Sequence, residues 1–300
     1  MERMSDKKKA VFLDLDGTLW NHEEVPASAW KAIRKARENG HLVFVNTGRT
    51  YNGIPDFLWD EKLDGYCMSA GGQLYSDRNH CLKSYTIPRQ KLEALKKAFD
   101  EVECGLSLNT PSSEFCDEIY LERHRQLEKM MGWKQNDRFR PLEEMTDSDW
   151  NHVIKVHYSG ARTFDVEKTA KACGFDILPY ENAYNPTGAA GTGCTGEMYD
   201  DAHTKASAME SILEAMGLNV ERYDIVAIGD SANDVPMFEA ADLSICMGNG
   251  TKPAREAAMI MTDRIDRDGL YKAFQMLGVL DKPRHHRSSR RASSSVVAEA

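Results

Sequence analysis

Three hundred residues with 41% apolar side chains are enough for one large or two moderate cores, and a formal charge of −9 argues against a binder of polyanions such as nucleic acid. Seven cysteines, at 67, 81, 104, 116, 173, 194 and 246, form no CxxC pair and have no Cys/His cluster beside them, which disfavours a zinc site or a disulfide framework. The basic stretch Lys7–Lys9 is interrupted as a signal peptide by Asp14 and Asp16, and no apolar run approaches the ~18 residues of a membrane span, so a cytoplasmic protein without a membrane partner is expected.

Along the chain, Ala10–Leu15 reads as a strand, Pro26–Asn39 as a helix stopped by Gly40, and His41–Asn46 as a second strand: a βαβ unit with a right-handed crossover. The rhythm changes between Ser84 and Tyr199. There, helices at Arg89–Glu101, Ile119–Met131 and Phe164–Cys173 alternate with extended pieces at Gly105–Leu108, His152–Tyr158 and Phe175–Leu178. The βα rhythm returns with helix Thr204–Met216, strand Asp224–Ile228, helix Asp234–Ala240, strand Leu243–Met247, strand Ala258–Met261 and helix Gly269–Leu277. This pattern predicts an α/β fold in which residues 1–83 and 200–282 build one Rossmann-like parallel sheet and residues 84–199 form an inserted α+β domain. Residues 283–300, rich in Arg and Ser, carry +3 and read as a disordered tail, which leaves −12 on residues 1–282.

The first strand ends in Asp14-Leu15-Asp16-Gly17-Thr18-Leu19, at the carboxyl end where parallel sheets bind ligands. Asp14 and Asp16 share a face and repel each other unless a divalent cation intervenes; oxygen ligands favour magnesium over zinc. An EF-hand is ruled out because its sixth position is Leu19 and not glycine. Gly229-Asp230-Ser231-Ala232-Asn233-Asp234 closes a later strand, and Asp230 is placed to complete the metal site; helix capping accounts for only one of Asn233 and Asp234. Asn46-Thr47-Gly48-Arg49 offers a hydroxyl, amides and a guanidinium to phosphate oxygens, and Lys205 could supply a fixed cation. The set suits phosphoryl transfer to a carboxylate.

The segments DLDGTL, NTGR, HTKA and GDSAND resemble the four ordered motifs of the haloacid dehalogenase-like superfamily, most closely its Cof-type phosphatase branch (subfamily IIB, with a C2-type α/β cap). The likeness is strong from Thr204 to Leu277; over the inserted segment it is positional. It implies Asp14 as nucleophile and magnesium ligand, with Asp16 giving its backbone carbonyl to the metal and its side chain as general acid, then base. It further implies Thr47 and Asn233 on phosphate, with Gly48 and Arg49 beside them, Lys205 neutralising charge, Asp230 on Mg2+, and Asp234 supporting Lys205 or a metal-bound water. The aspartate at position 16 disfavours dehalogenation. The sequence departs from the branch at Ala70, where Asn is usual, at Ala206, usually Gly, and at Gly250, usually Ala.

A cap of this size favours small substrates over polymers, and the implied function is Mg-dependent hydrolysis of a small phosphorylated metabolite, such as a sugar phosphate. Two other readings stand beside it: a phosphotransferase similar to phosphomannomutases, and a phosphate-ligand-binding regulator without turnover. The Gly-rich run Gly188–Gly196 reads as a solvated turn or a substrate loop; it lacks the strand-then-helix context of a dinucleotide fingerprint.

Overall fold

The computed structural model describes residues 7–101, 104–131, 139–160, 166–179, 195–200 and 202–281. The tail 283–300 and most of the Gly188–Gly196 run lie outside the described residues.

The chain begins with β1 (Lys8–Leu13), α1 (Ala27–Glu38), β2 (Leu42–Asn46), α2 (Asp56–Asp60), β3 (Gly65–Met68), β4 (Gln73–Asp77) and β5 (His80–Ser84). A second group follows: α3 (Arg89–Asp100), β6 (Cys104–Asn109), β7 (Glu114–Cys116), α4 (Glu118–Met131), β8 (Phe139–Pro141), α5 (Asp147–Trp150), β9 (Lys155–Gly160), α6 (Val166–Ala172), β10 (Phe175–Pro179) and β11 (Thr195–Asp200). The chain then returns through α7 (Lys205–Ala215), β12 (Tyr223–Gly229), α8 (Val235–Ala240), β13 (Leu243–Cys246), α9 (Lys252–Ala257), β14 (Ile260–Met261) and α10 (Gly269–Met276).

The core sheet runs β14-β13-β12-β1-β2-β3-β4-β5. Strand β1 lies at its centre, buried on both faces as its apolar run requires. Val11 and Leu13 pack with Ala32 and Ile33 of α1 and Phe274 of α10, whereas Ala10 and Phe12 pack with Met209 and Ile212 of α7 and Phe238 of α8. The rings of Phe12 and Phe44 stack at 4.8 Å, and truncating such a buried aromatic costs about 3–5 kcal/mol.

The parallel core expected from the sequence is present, and at one edge β4 and β5 extend it antiparallel. Only two residues separate these strands, and Asp77 Oδ1 accepts from the Asn79 amide at 2.9 Å; so short a connection can reverse the chain but cannot cross over. The expected strand His152–Tyr158 instead begins at Lys155 and reaches Gly160. A capping box between Thr146 and Asp149 sets α5 just upstream, and His152 Nδ1 lies 2.6 Å from the Ser148 carbonyl, which keeps residue 152 in a turn.

The second sheet runs β10-β11-β9-β6-β7-β8 and is antiparallel apart from β7–β8. Its alternation is clean. Leu106, Leu108, Phe115, Val156, Tyr158 and Met198 pack on Leu92, Leu95 and Phe99 of α3, while Ser107, Asn109, Lys155, His157 and Glu197 share the other face. Two segments connect the sheets, near residues 85–88 and 202–204, and there the Tyr85 and His203 rings stack at 3.8 Å. Among the described residues no helix is long and apolar enough to cross a membrane.

Candidate active site

Three adjacent central strands deliver the site. β12, β1 and β2 end side by side, and Asp230, Asp14 and Thr47 follow directly at their carboxyl ends. The Asp14 amide still donates to the Ile228 carbonyl at 2.9 Å, so the nucleophile candidate is fixed by sheet pairing before the chain turns away. The turn needs glycine twice over at position 17. Its φ is +84°, and a Cβ there would stand 2.4 Å from Asp230 Oδ2.

Lys205 opens α7, where the helix dipole disfavours a cation, yet it is only 2% exposed. Its ammonium donates to Asp14 Oδ1 at 2.6 Å, Asp234 Oδ1 at 2.7 Å and Asn233 Oδ1 at 3.3 Å. The helix start is set by a reciprocal Thr204–Ser207 capping box, and Asn46 Nδ2 donates to the Lys205 carbonyl at 2.8 Å. Close approach of the β3–β4 turn is possible because Gly71, with φ +103°, would otherwise put a Cβ 2.4 Å from the Thr204 carbonyl.

Asp234 binds Lys205 with one oxygen and takes the Asp230 and Ser231 amides on the other, at 2.8 and 2.9 Å. Capping and cation support are therefore carried out by one side chain. Asp14, Asp230 and Asp234 each bring a carboxylate oxygen within 4.8 Å of the others. Three carboxylates thus face one ammonium. Burial, together with the Asp234 charge, raises the Asp14 carboxyl well above its usual range, against the opposing pull of Lys205. Burial and Asp234 likewise push Asp230 up to about 7. Lys205 is shifted the other way: burial alone would lower it, and the Asp14 and Asp234 carboxylates overcome that and raise it. A buried all-oxygen set with surplus negative charge fits a hard divalent cation.

Asp16 and Arg49 form a pair of their own beside this cluster. The guanidinium makes a two-pronged pair with the Asp16 carboxylate, at 2.7 and 2.8 Å, donates to the Gly53 carbonyl at 2.9 Å, and sits 4.9 Å above the Trp20 ring. Arg49 is therefore brought to Asp16 and not to the carboxylates around Lys205. Thr47 is buried; its Oγ1 accepts from the Arg49 amide at 3.1 Å, which leaves its hydroxyl hydrogen free to be donated to a ligand. Gly48 and Asn233 border the same narrow cleft as Lys205, with Glu197 and Tyr199 of β11 on its other wall.

The model of the haloacid dehalogenase-like hydrolase family matches residues 11–274. The chain belongs to that family. Among curated relatives of this hydrolase, two 5-amino-6-(5-phospho-D-ribitylamino)uracil phosphatases of Bacillus subtilis are similar to it. YwtE is 28% identical over 87% of this chain and 95% of its own length, and YcsE is 25% identical over 89% and 94%. Of solved structures, BT1666 from Bacteroides thetaiotaomicron superposes with a TM-score of 0.75 at 22% identity, covering 93% of this chain and 98% of that one. The subclass IIB sugar phosphatase BT4131 superposes at 0.71 and 21% identity, covering 91% and 100%. Both carry the same fold, a Rossmann-like core with a cap. By family and by relatives the hydrolase is a phosphatase, acting on phosphoric monoesters.

Several contributors escaped the sequence reading. Thr18 Oγ1 donates to Asp230 Oδ1 at 2.9 Å, and Asn249 Nδ2 donates to the Gly17 carbonyl at 2.8 Å. Thr18 stands within a motif already singled out. Asn249 lies 232 residues from the carbonyl it holds, and no local signal marks it.

Proposed function

We propose that this hydrolase is a Mg2+-dependent phosphatase of small phosphomonoesters, sugar phosphates or similar polyol phosphates, acting through an aspartyl-phosphate on Asp14. The observation that carries the reading is a carboxylate buried at a strand end, held by Lys205 at 2.6 Å, with Asp230 and Asp234 beside it.

In the first step an Asp14 oxygen bonds to phosphorus and the bond to the ester oxygen breaks. Asp16 gives its proton to that oxygen, which assists departure of a poor alkoxide leaving group by about 100-fold to 10,000-fold. In the second step Asp16 takes a proton from water, the water oxygen bonds to phosphorus, and Asp14 is released with inorganic phosphate. Lys205 balances charge on Asp14 and the phosphoryl oxygens throughout, while Thr47, the Gly48 amide and Asn233 orient them. Asp14, Asp230 and the Asp16 carbonyl would hold Mg2+, which when bound supplies Lewis-acid neutralisation of the phosphoryl charge. For Asp16 to serve as acid, its pair with Arg49 must loosen when substrate enters, and the released guanidinium then becomes a ligand for phosphate or for the leaving group.

Residues 84–199 act as a cap that excludes water and admits only small esters. The two named relatives support the substrate class, since their names place the phosphate on a ribityl chain. The test is phosphate release from a panel of phosphomonoesters with Mg2+ and with EDTA. Release that needs Mg2+ and favours polyol phosphates supports the reading; release indifferent to EDTA overturns the metal, and equal rates on aryl and sugar esters overturn the substrate class.

A further inference from the structure

Three successive carbonyls in the loop after β2 are held from two directions. Thr47 O takes the Ala70 amide at 3.0 Å and Arg49 O takes the Ser69 amide at 2.8 Å, both from the turn between β3 and β4. Gly48 O, between them, takes the ammonium of Lys155 at 2.7 Å, and Lys155 belongs to the cap. Its Nζ also pairs with Glu197 Oε1 at 2.7 Å, and His157 Nε2 stands 3.7 Å from the same oxygen. Register explains the grouping. Glu197 lies directly across from His157, and Lys155 is two positions along on the same face. Burial alone would raise the Glu197 carboxyl, but the adjacent Lys155 and His157 hold it well below the usual carboxylate range. The pair thus lies within the cap sheet, on the face that meets the loop after β2.

A lysine that only completed the cap's own packing would have no reason to reach a core carbonyl. The carbonyl it reaches belongs to the loop that carries Thr47. We propose that Lys155, held by Glu197, is a positioning residue that seats the cap on the phosphoryl-binding loop, so that closing the cap and fixing the Thr47–Arg49 turn are one event. With the ammonium docked, all three loop carbonyls are held, and with them the backbone that carries the Thr47 hydroxyl. With the cap lifted, Gly48 O loses its partner while Lys155 and Glu197 stay paired within the cap. The inference rests on the reading of Thr47 as a phosphoryl ligand.

Hydrogen exchange of the ligand-free full chain tests this, with steady-state kinetics on a sugar phosphate alongside. Lys155→Met leaves Glu197 without its cation and risks unfolding the cap, so Lys155→Met/Glu197→Leu, which removes both charges, is run beside it, together with Lys155→Arg. The expected result is about ten-fold faster exchange at the Ser69 and Ala70 amides in both Met variants, with β1 and β12 unchanged. The value of kcat should fall about ten-fold or more while KM moves less, and Lys155→Arg should recover most of the loss. Unchanged protection at Ser69 and Ala70 overturns the proposal, as does a uniform rise that includes β1 and β12, which would mark general destabilisation. If the wild-type chain releases no phosphate, the phosphatase reading fails, and exchange at Ser69 and Ala70 still decides whether Lys155 fixes the loop.

Discussion

Two buried charge clusters, one in the core and one in the cap, are built on opposite principles. Around Lys205 three carboxylates face one ammonium, and the Asp14 and Asp230 carboxyls are pushed up. Around Lys155, among the described residues, the Glu197 carboxylate meets the ammonium with His157 beside it, and Glu197 is pushed down. Burying an unbalanced set costs stability, and that cost is tolerable where a cation and a phosphoryl group are to be bound. A balanced pair holds position. Surplus buried charge thus sets apart the cluster proposed to react, and paired charge the one proposed to support it.

The sharpest way to break this comparison is to remove one carboxylate from each cluster. Asp14→Asn should lower kcat by on the order of 10,000-fold or more while the metal-free protein becomes more stable by ~1 kcal/mol, because the change relieves a buried repulsion. Glu197→Leu should do the opposite to stability, costing about 3–5 kcal/mol by leaving Lys155 buried without its partner. Denaturant titration in EDTA checks both signs; two losses of similar size would dissolve the distinction. Lys205→Met should combine the penalties, abolishing turnover and destabilising by about 3–5 kcal/mol, since Asp14 and Asp234 lose their common cation.

Acid–base linkage sharpens the contrast further. Asp230 has a folded value near 7, above its unfolded one, so between about pH 4 and 7 the folded metal-free protein binds more protons and this group favours folding more as pH falls. Glu197 is depressed, so its contribution is full above the usual glutamate value and is lost only as pH falls further into acid. Melting in EDTA should therefore rise from pH 8 towards pH 5, and Asp230→Asn should flatten that rise. A smaller effect is expected at Ala70, which holds φ 53° and ψ 33° in the left-handed region. Ala70→Gly should stabilise by about 0.5–1 kcal/mol, read as a shift in the urea midpoint.

The same contrast governs how much was legible in the sequence. Asp14, Thr47, Lys205, Asp230 and Asp234 follow strand ends or open a helix within short contiguous segments, so pattern and position together place them in one mouth. Asp16 and Arg49 stand in motifs singled out from the sequence, but nothing there shows that they pair, since the contact forms only where the loops after β1 and β2 meet. In the cap, Lys155 and Glu197 are 42 residues apart in number and meet only through the β9–β11 register. Nothing local distinguishes either from a solvated side chain. The β4–β5 hairpin was missed for a related reason: β5 is largely exposed and lacks the apolar run that marked the central strands.

The central claim is that Asp14 carries the phosphoryl group between substrate and water. Acid quenching of the enzyme during turnover of a sugar phosphate with Mg2+, followed by peptide mass spectrometry, tests it directly. A phosphoryl adduct on Asp14, absent in EDTA and absent in Asp14→Asn, is the predicted result; turnover that continues in Asp14→Asn, or an adduct on another side chain, would contradict it.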